Sequence, residues 1–313
     1  MGRRRLVLLV GIVLVLAALA GGIYWFTRSR PVALTLRTVP SGVTVMIDGD
    51  LRGTTSDTGL VVLIGVFGPH HLRLEKKGYA PDTSTVVLYS GEAVDLDVVM
   101  RVPGMMFVRG GAFQMGDADG DYSERPPHTV TVRPFYLDRT EVTMEAFRQF
   151  LPDYEPPFAG SGLPASGVSW GQARDYCVHL GKRLPTEAEW ERACRGVSGA
   201  RYSYGDEHDP SLGRTGAGLK AGPVAVGSFP PGNAGLQDMT GNVWEWCSDW
   251  HDRDAYRSGS TEDPKGPASG VQHVLRGGAW YSNARYARCA HRPGEVKMAW
   301  HDSFGFRCAR DLN

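Results

Sequence analysis

The first segment constrains this chain more than any other. Arg3, Arg4 and Arg5 precede an uncharged apolar run from Leu6 to Phe26, about the twenty residues that a helix needs to cross the hydrocarbon of a bilayer. Residues 1–30 therefore read as an N-terminal membrane anchor, a single transmembrane helix. The competing reading is a cleaved signal peptide, because Ala18-Leu19-Ala20 before Gly21 resembles a small-residue cleavage site. Against it, Ile23-Tyr24-Trp25-Phe26 carries the apolar run past that site, and Trp and Tyr favour the membrane interface. Either way, everything after residue 30 is exported. The arginines ahead of the run, set against Arg28 and Arg30 after it, lean towards a cytoplasmic N-terminus. The expected location is the cell membrane, single-pass, with the C-terminal domains extracytoplasmic.

The exported part is long enough for two domains in a chain of 313 residues, and 34 basic against 34 acidic residues leave no bias towards nucleic acid. With 40 glycines, 20 prolines and 8 tryptophans, the composition suits a loop-rich fold with large aromatic anchors. Over residues 31–101 the pattern is strand-like: Leu34 and Leu36 alternate with Thr35 and Arg37, and Val43, Val45 and Ile47 alternate with Thr44 and Met46. Asp48-Gly49-Asp50 reads as a tight hairpin turn. The runs Val39-Pro40-Ser41-Gly42-Val43-Thr44-Val45-Met46-Ile47-Asp48-Gly49 and Leu72-Arg73-Leu74-Glu75-Lys76-Lys77-Gly78-Tyr79 closely resemble the PEGA domain. That resemblance implies a small all-β sandwich with a spacer or surface-binding role and no catalytic residue.

Residues 102–313 form the second domain, with a strand opening at Met105-Met106-Phe107-Val108. Three short helices are predicted there. Thr143 starts the first, with Met144, Phe147 and Phe150 along one face. Ser169 to Gln172 and Thr186 to Glu189 are capping boxes for the other two. The former precedes Ala173, Tyr176, Cys177 and Leu180, with Gly181 as the stop; the latter precedes Trp190, Ala193 and Cys194, with Gly196 after it. Both cysteines thereby face the core.

Phe113-Gln114-Met115-Gly116, Glu141-Val142-Thr143, Val168-Ser169-Trp170, Arg183-Leu184-Pro185-Thr186-Glu187-Ala188-Glu189-Trp190-Glu191, Gly241-Asn242-Val243-Trp244-Glu245-Trp246, Arg276-Gly277-Gly278 and Gly305-Phe306-Arg307 follow one another along the domain. In kind and order they resemble the motifs of the formylglycine-generating-enzyme (sulfatase-modifying factor) family. The resemblance implies an α+β, C-type-lectin-like fold with little regular structure. It does not by itself imply the activity, since one scaffold hosts unrelated functions.

Five cysteines in an exported chain suggest two disulfides and one remaining thiol, with a connectivity that counting cannot assign. The family resemblance implies Cys177 with Cys308 and Cys194 with Cys289, leaving Cys247 as a buried inert thiol. Asp238, Glu245 and the carbonyls of Gly241 and Val243 surround a Gly-Asn turn with hard oxygen donors that suit calcium. By resemblance these are calcium ligands; a metal-free hairpin anchored by Trp244 and Trp246 is the alternative.

In the family two thiolates just after the Arg-Gly-Gly motif bind copper(I), a soft ion that prefers sulfur. Here Ser282 stands at the first position and the second falls in a short deletion before Arg285. Copper is therefore not expected. An iron triad lacks support, because none of the nine histidines has a carboxylate two residues on. Trp280, Ser282, Asn283, Arg285, Arg292 and His301 are the residues expected along the surface that binds peptide in the enzymes, a set suited to a peptide, protein or glycan ligand. The sequence thus reads as an anchored binding or scaffold module, the alternative being an oxidoreductase acting on a protein or peptide with an unrecognised metal.

Overall fold

The computed structural model describes residues 31–89 and 92–312, so the anchor expected over residues 1–30 lies outside the described residues. Among the described residues no helix is long and apolar enough to cross a membrane. The chain divides into two compact units at Pro103/Gly104, close to the boundary expected after residue 101.

The first unit is built from β1 (Val32–Val39), β2 (Thr44–Ile47), β3 (Asp50–Thr54), β4 (Leu60–Ile64), β5 (Gly68–Glu75), β6 (Asp82–Leu88) and β7 (Val94–Val99). They form two sheets, β4-β1-β7 and β3-β2-β5-β6, with β1 and β7 parallel. The period-two pattern decides which side chains go inward: Leu34, Leu36, Val45, Ile47, Leu72 and Leu74 are fully buried. The hairpin between β2 and β3 turns on Asp48 and Gly49 at φ 55° and 88°, the left-handed pair that a two-residue connection needs to match strand twist.

The second unit is α+β. It contains a two-stranded sheet of β9 (Gly111–Met115) with β10 (His128–Val132), and a three-stranded sheet in which β11 (Phe135–Asp138) lies between β8 (Met105–Val108) and β16 (Ala309–Arg310). A four-stranded sheet has the order β14 (Gly294–Val296), β13 (Gln272–Arg276), β12 (Trp244–Trp250), β15 (Phe304–Gly305). The helices are α1 (Met144–Phe150), α2 (Trp170–His179), α3 (Glu187–Arg195) and the single turn α4 (Ala255–Ser258). Thr143 caps α1, and both predicted capping boxes are formed at α2 and α3. Leu180, expected on the apolar face of α2, is exposed because the helix ends at His179 and Gly181 turns away at φ 66°.

Trp246 and Phe306 anchor one core cluster and Trp190 the other. A disulfide joins Cys194 of α3 to Cys289 across 95 residues. Cys177 and Cys308 depart from the expected second bridge: they are free thiols, both buried and neighbours of one another. Burial and that contact push the Cys308 thiol up. The segments are held by the packing of Phe147, Tyr176 and Phe306 around them.

Candidate functional site

Helix α3 carries Glu187, Glu189, Glu191, Arg192 and Arg195, all buried. A helix so charged is tolerable inside a protein only if each charge finds a partner, and the partners come from the other motifs. Arg276 donates to Glu187 at 2.7 Å and to Glu191 at 2.9 Å, while Arg292 donates to both oxygens of Glu187. Burial pushes the Glu187 carboxyl up, but Arg292 and Arg276 outweigh it and hold it at about 2. Arg307 grips Glu245 with two bonds of 2.7 Å, and the Trp190 indole donates to the same carboxylate at 2.8 Å. The charged residues of the sequence motifs are therefore largely internal ties.

This changes the expected calcium set. Glu245 is fully buried and spends both oxygens on Arg307. Asp238 is turned differently: the Gly227 amide donates to its Oδ2 at 2.6 Å, while its Oδ1 is buried without a hydrogen-bond partner. Glu141, from the Glu-Val-Thr motif, is in the same condition, with Oε2 unpartnered and Oε1 accepting from Asn242 Nδ2 at 3.1 Å. Burial raises both carboxyls, and the charge of Asp238 raises Glu141 further. Two acceptor oxygens with no donor between them need a shared proton or a cation. Asp238 sits at φ 61°, Gly241 at 90° and Asn242 at 63°, so three left-handed residues curl this segment tightly. In the sequence Glu141 stands only as part of the Glu141-Val142-Thr143 motif, and that membership was the one available signal for its buried role.

The six residues expected along one binding surface are not brought together as one. Arg292 and Trp280 are buried, the former on Glu187 and the latter donating to the Leu219 carbonyl at 3.0 Å and edge-on to Phe158. Ser282 is buried too, its hydroxyl accepting from the Ala279 amide at 2.9 Å. Burial of the Trp280 indole is favourable where an open cleft would expose it, and Arg292 and Ser282 can follow it inward because each finds a hydrogen-bond partner there. Asn283, Arg285 and His301 stay exposed. Arg285 pairs with Asp121, and His301 Nδ1 lies 2.8 Å from Ser303 Oγ. Arg285 does border a polar depression of about 380 Å³ with Arg201, Tyr202, His208 and Arg288, and no feature of the sequence announced that grouping.

A second cavity, of about 270 Å³, lies elsewhere, lined by Met115, Ala188, Tyr256, Glu187 and Asp249 among others. Asp249 accepts from the Glu187 amide at 2.9 Å, at the start of α3. Burial and the neighbouring Glu187 charge push its carboxyl up to about 7. Asp121, Glu124 and His291 also place ligand-type atoms within 4.8 Å of one another. Arg288 donates to both oxygens of Glu124, however. Burial would raise Glu124, but His291 and Arg288 hold it at about 2. With one histidine and a resident arginine, this group is an ion-pair network and does not meet the two-histidine requirement of an iron triad.

Residues 92–312 match the family described as the sulfatase-modifying factor enzyme 1-like domain, and residues 32–102 match the PEGA domain. The chain is 34% identical to the formylglycine-generating enzyme of Streptomyces coelicolor, over 68% of this chain and 89% of that protein. It is 31% identical to the inactive C-alpha-formylglycine-generating enzyme 2 of Bos taurus, over 74% of this chain and 95% of that one. It is also 38% identical to the serine/threonine-protein kinase Pkn1 of Chlamydia trachomatis over 66% of its length, but spans only 38% of that protein. Among solved structures, Treponema denticola variable protein 1 superposes with a TM-score of 0.61 at 26% identity, over 66% of this chain and 94% of that one.

Proposed function

Because the chain belongs to the sulfatase-modifying factor family, which includes an enzyme and an inactive counterpart among its relatives, we propose that it is a membrane-anchored, extracytoplasmic binding or scaffold module without the copper chemistry. One observation carries this reading. In the stretch after Arg276-Gly277-Gly278 the nearest sulfur is Cys289, which is tied into a disulfide, while Ser282 turns its hydroxyl inward onto a backbone amide. A hydroxyl is a poor ligand for copper(I), and an oxidised sulfur offers no thiolate. Among the described residues no side-chain base is hydrogen-bonded to Ser282 to make it a nucleophile. The ligand would be a polar peptide, protein or glycan, and the depression beside Arg285, where arginines alternate with Asp119, Asp206 and Glu207 beside Tyr202 and His208, suits a ligand that carries both donors and acceptors.

Calcium fits the Asp238 turn as a structural ion. Asp238 and Glu141 would supply carboxylate oxygens and Gly241 and Val243 carbonyls, hard donors of the kind calcium selects. The ion would replace the proton that the two carboxyls otherwise share. The test of the main reading is mass spectrometry of a sulfatase-type cysteine peptide incubated with the copper(I)-loaded protein and oxygen. No aldehyde should form, with or without Ser282→Cys, because a single restored sulfur leaves the second position missing. Metal-dependent aldehyde above a no-protein control would sink the reading.

A further inference from the structure

The PEGA sandwich exposes apolar side chains at one end, and the register shows which end it is. β1 begins at Val32, opposite Ile64 at the end of β4. The chain then turns through Gly65, Val66 and Phe67 into β5, whose first residue Gly68 pairs with Leu88 at the end of β6. The strand entry, the 65–67 connection and Tyr89 therefore share one end of the sandwich. Leu63 is 67% exposed, Val66 67% and Tyr89 64%. From Leu60 to Leu72 and from Val86 to Gly91 there is no Asp, Glu, Lys or Arg; the charges at this end sit beside the patch, Asp48 paired with the His70 ring at 2.6 Å and Glu92 bonded through its amide to the Tyr89 carbonyl. An exposed apolar patch with a tyrosine at its edge and polar groups around its rim has the chemistry of an interfacial lipid contact.

Its place in the chain names the partner. The apolar run of the proposed anchor ends at Phe26, six residues before Val32, a tether that spans about 20 Å at most. Leu63 and Val66 lie within about 10 Å of that strand entry, given the spacing of paired strands and the rise per residue. Whatever leaves the bilayer through this tether presents these side chains first. We infer that the end of the sandwich formed by Leu63, Val66 and Tyr89 docks into the headgroup region of the membrane that holds the anchor, so that the domain stands on the bilayer instead of swinging from it. The opposite end of the sandwich carries Lys76 and Lys77, beyond the Thr44 and Glu75 pairing, so the two ends differ in what they can bury.

This inference rests on the anchor reading, and the experiment separates the two. The full chain is reconstituted in phosphatidylcholine vesicles with single environment-sensitive fluorophores at Leu63→Cys, Val66→Cys, Tyr89→Cys or Lys77→Cys. All four positions are on the surface, whereas the free native thiols are buried. Quenching by lipids bearing a nitroxide near the top of the acyl chain should be at least about threefold stronger at Val66 and Tyr89 than at Lys77, as expected for groups seated at the headgroup boundary. If the chain stays in the membrane pellet after alkaline carbonate but Val66 is as wet as Lys77, the docking is overturned and the anchor stands. Release of the chain into the supernatant overturns the anchor, and the docking with it. A label shielded from water yet untouched by lipid quencher, with crosslinks between chains, would assign this end to a second copy and also overturn the proposal.

Discussion

Arg307 illustrates how single residues carry this fold. Its guanidinium and the Glu245 carboxylate are both fully buried and bonded twice, with Trp190 donating as well. Removing one partner leaves the other charge without solvent or counterion, which costs about 3 to 5 kcal/mol, whereas replacing both by neutral groups recovers much of it. Arg307→Met should therefore destabilise the second unit by that amount in urea unfolding, and adding Glu245→Gln should restore part of the loss. Arg285→Ala, which breaks an exposed pair with Asp121, should leave the unfolding midpoint nearly unchanged. Equal effects at Arg307 and Arg285 would mean that the buried tie contributes nothing special. Reading by residue type was weakest here: an arginine in a glycine-rich motif looks the same whether it faces a ligand, as expected of Arg292, or an internal glutamate, where Arg292 lies. Glu141 was passed over for the same reason, since its open oxygen exists only because Asp238, almost a hundred positions on, is folded against it.

At the level of elements the sequence was more legible, because caps and stops are local. Ser169 with Gln172 and Thr186 with Glu189 form the reciprocal bonds that their spacing predicts, and Gly181 and Gly196 adopt left-handed conformations after their helices. What spacing could not decide is whether two cysteines brought together are bonded. Cys194 of α3 is linked to Cys289, while Cys177 of α2 faces Cys308 as a thiol. These states predict different mutant costs. Cys194→Ser opens a loop of 95 residues, and in the chain-entropy model this costs about 4 to 5 kcal/mol. Cys177→Ser loses only the packing of one small buried side chain, about 1 kcal/mol on the scale of ordinary core changes. Thermal unfolding under non-reducing conditions compares them directly. A Cys177→Ser loss as large as that of Cys194→Ser, together with a linked Cys177 and Cys308 peptide in an unreduced digest, would show the second bridge to form as well.

At the scale of the whole molecule, the buried carboxyls pull the second unit's stability in opposite directions along the pH axis. Glu124 and Glu187 are held at about 2, below their ordinary value, so their contribution is present above about 4.5 and is lost as pH falls towards 2, about 3 kcal/mol each from the size of the shift. Asp249 lies at about 7: the folded chain keeps a proton that the unfolded chain releases near 4. Stability therefore declines as pH rises from about 4 to 7, by about 4 kcal/mol at most. Glu141 and Asp238 are raised as well, and they add to the same downward slope unless a cation takes the proton's place. A calcium ion bound between them favours their ionised forms, and ligand at a hundredfold excess over its dissociation constant adds about 2.7 kcal/mol. Seven of the eight tryptophans lie beyond Gly104, so their fluorescence follows this unit in the intact chain. Metal-stripped protein should melt highest near pH 4 to 5 and progressively lower towards pH 8. Added calcium should raise the melting temperature little at pH 5 and more at pH 8, because only there does the ion no longer compete with the proton. Asp238→Ala should remove the calcium effect at both pH values, whereas Asp249→Asn should flatten the decline in stripped and calcium-loaded protein alike. Stripped and calcium-loaded wild type melting along the same curve from pH 5 to 8 would leave the Glu141 and Asp238 pair as a proton-sharing couple and exclude the ion.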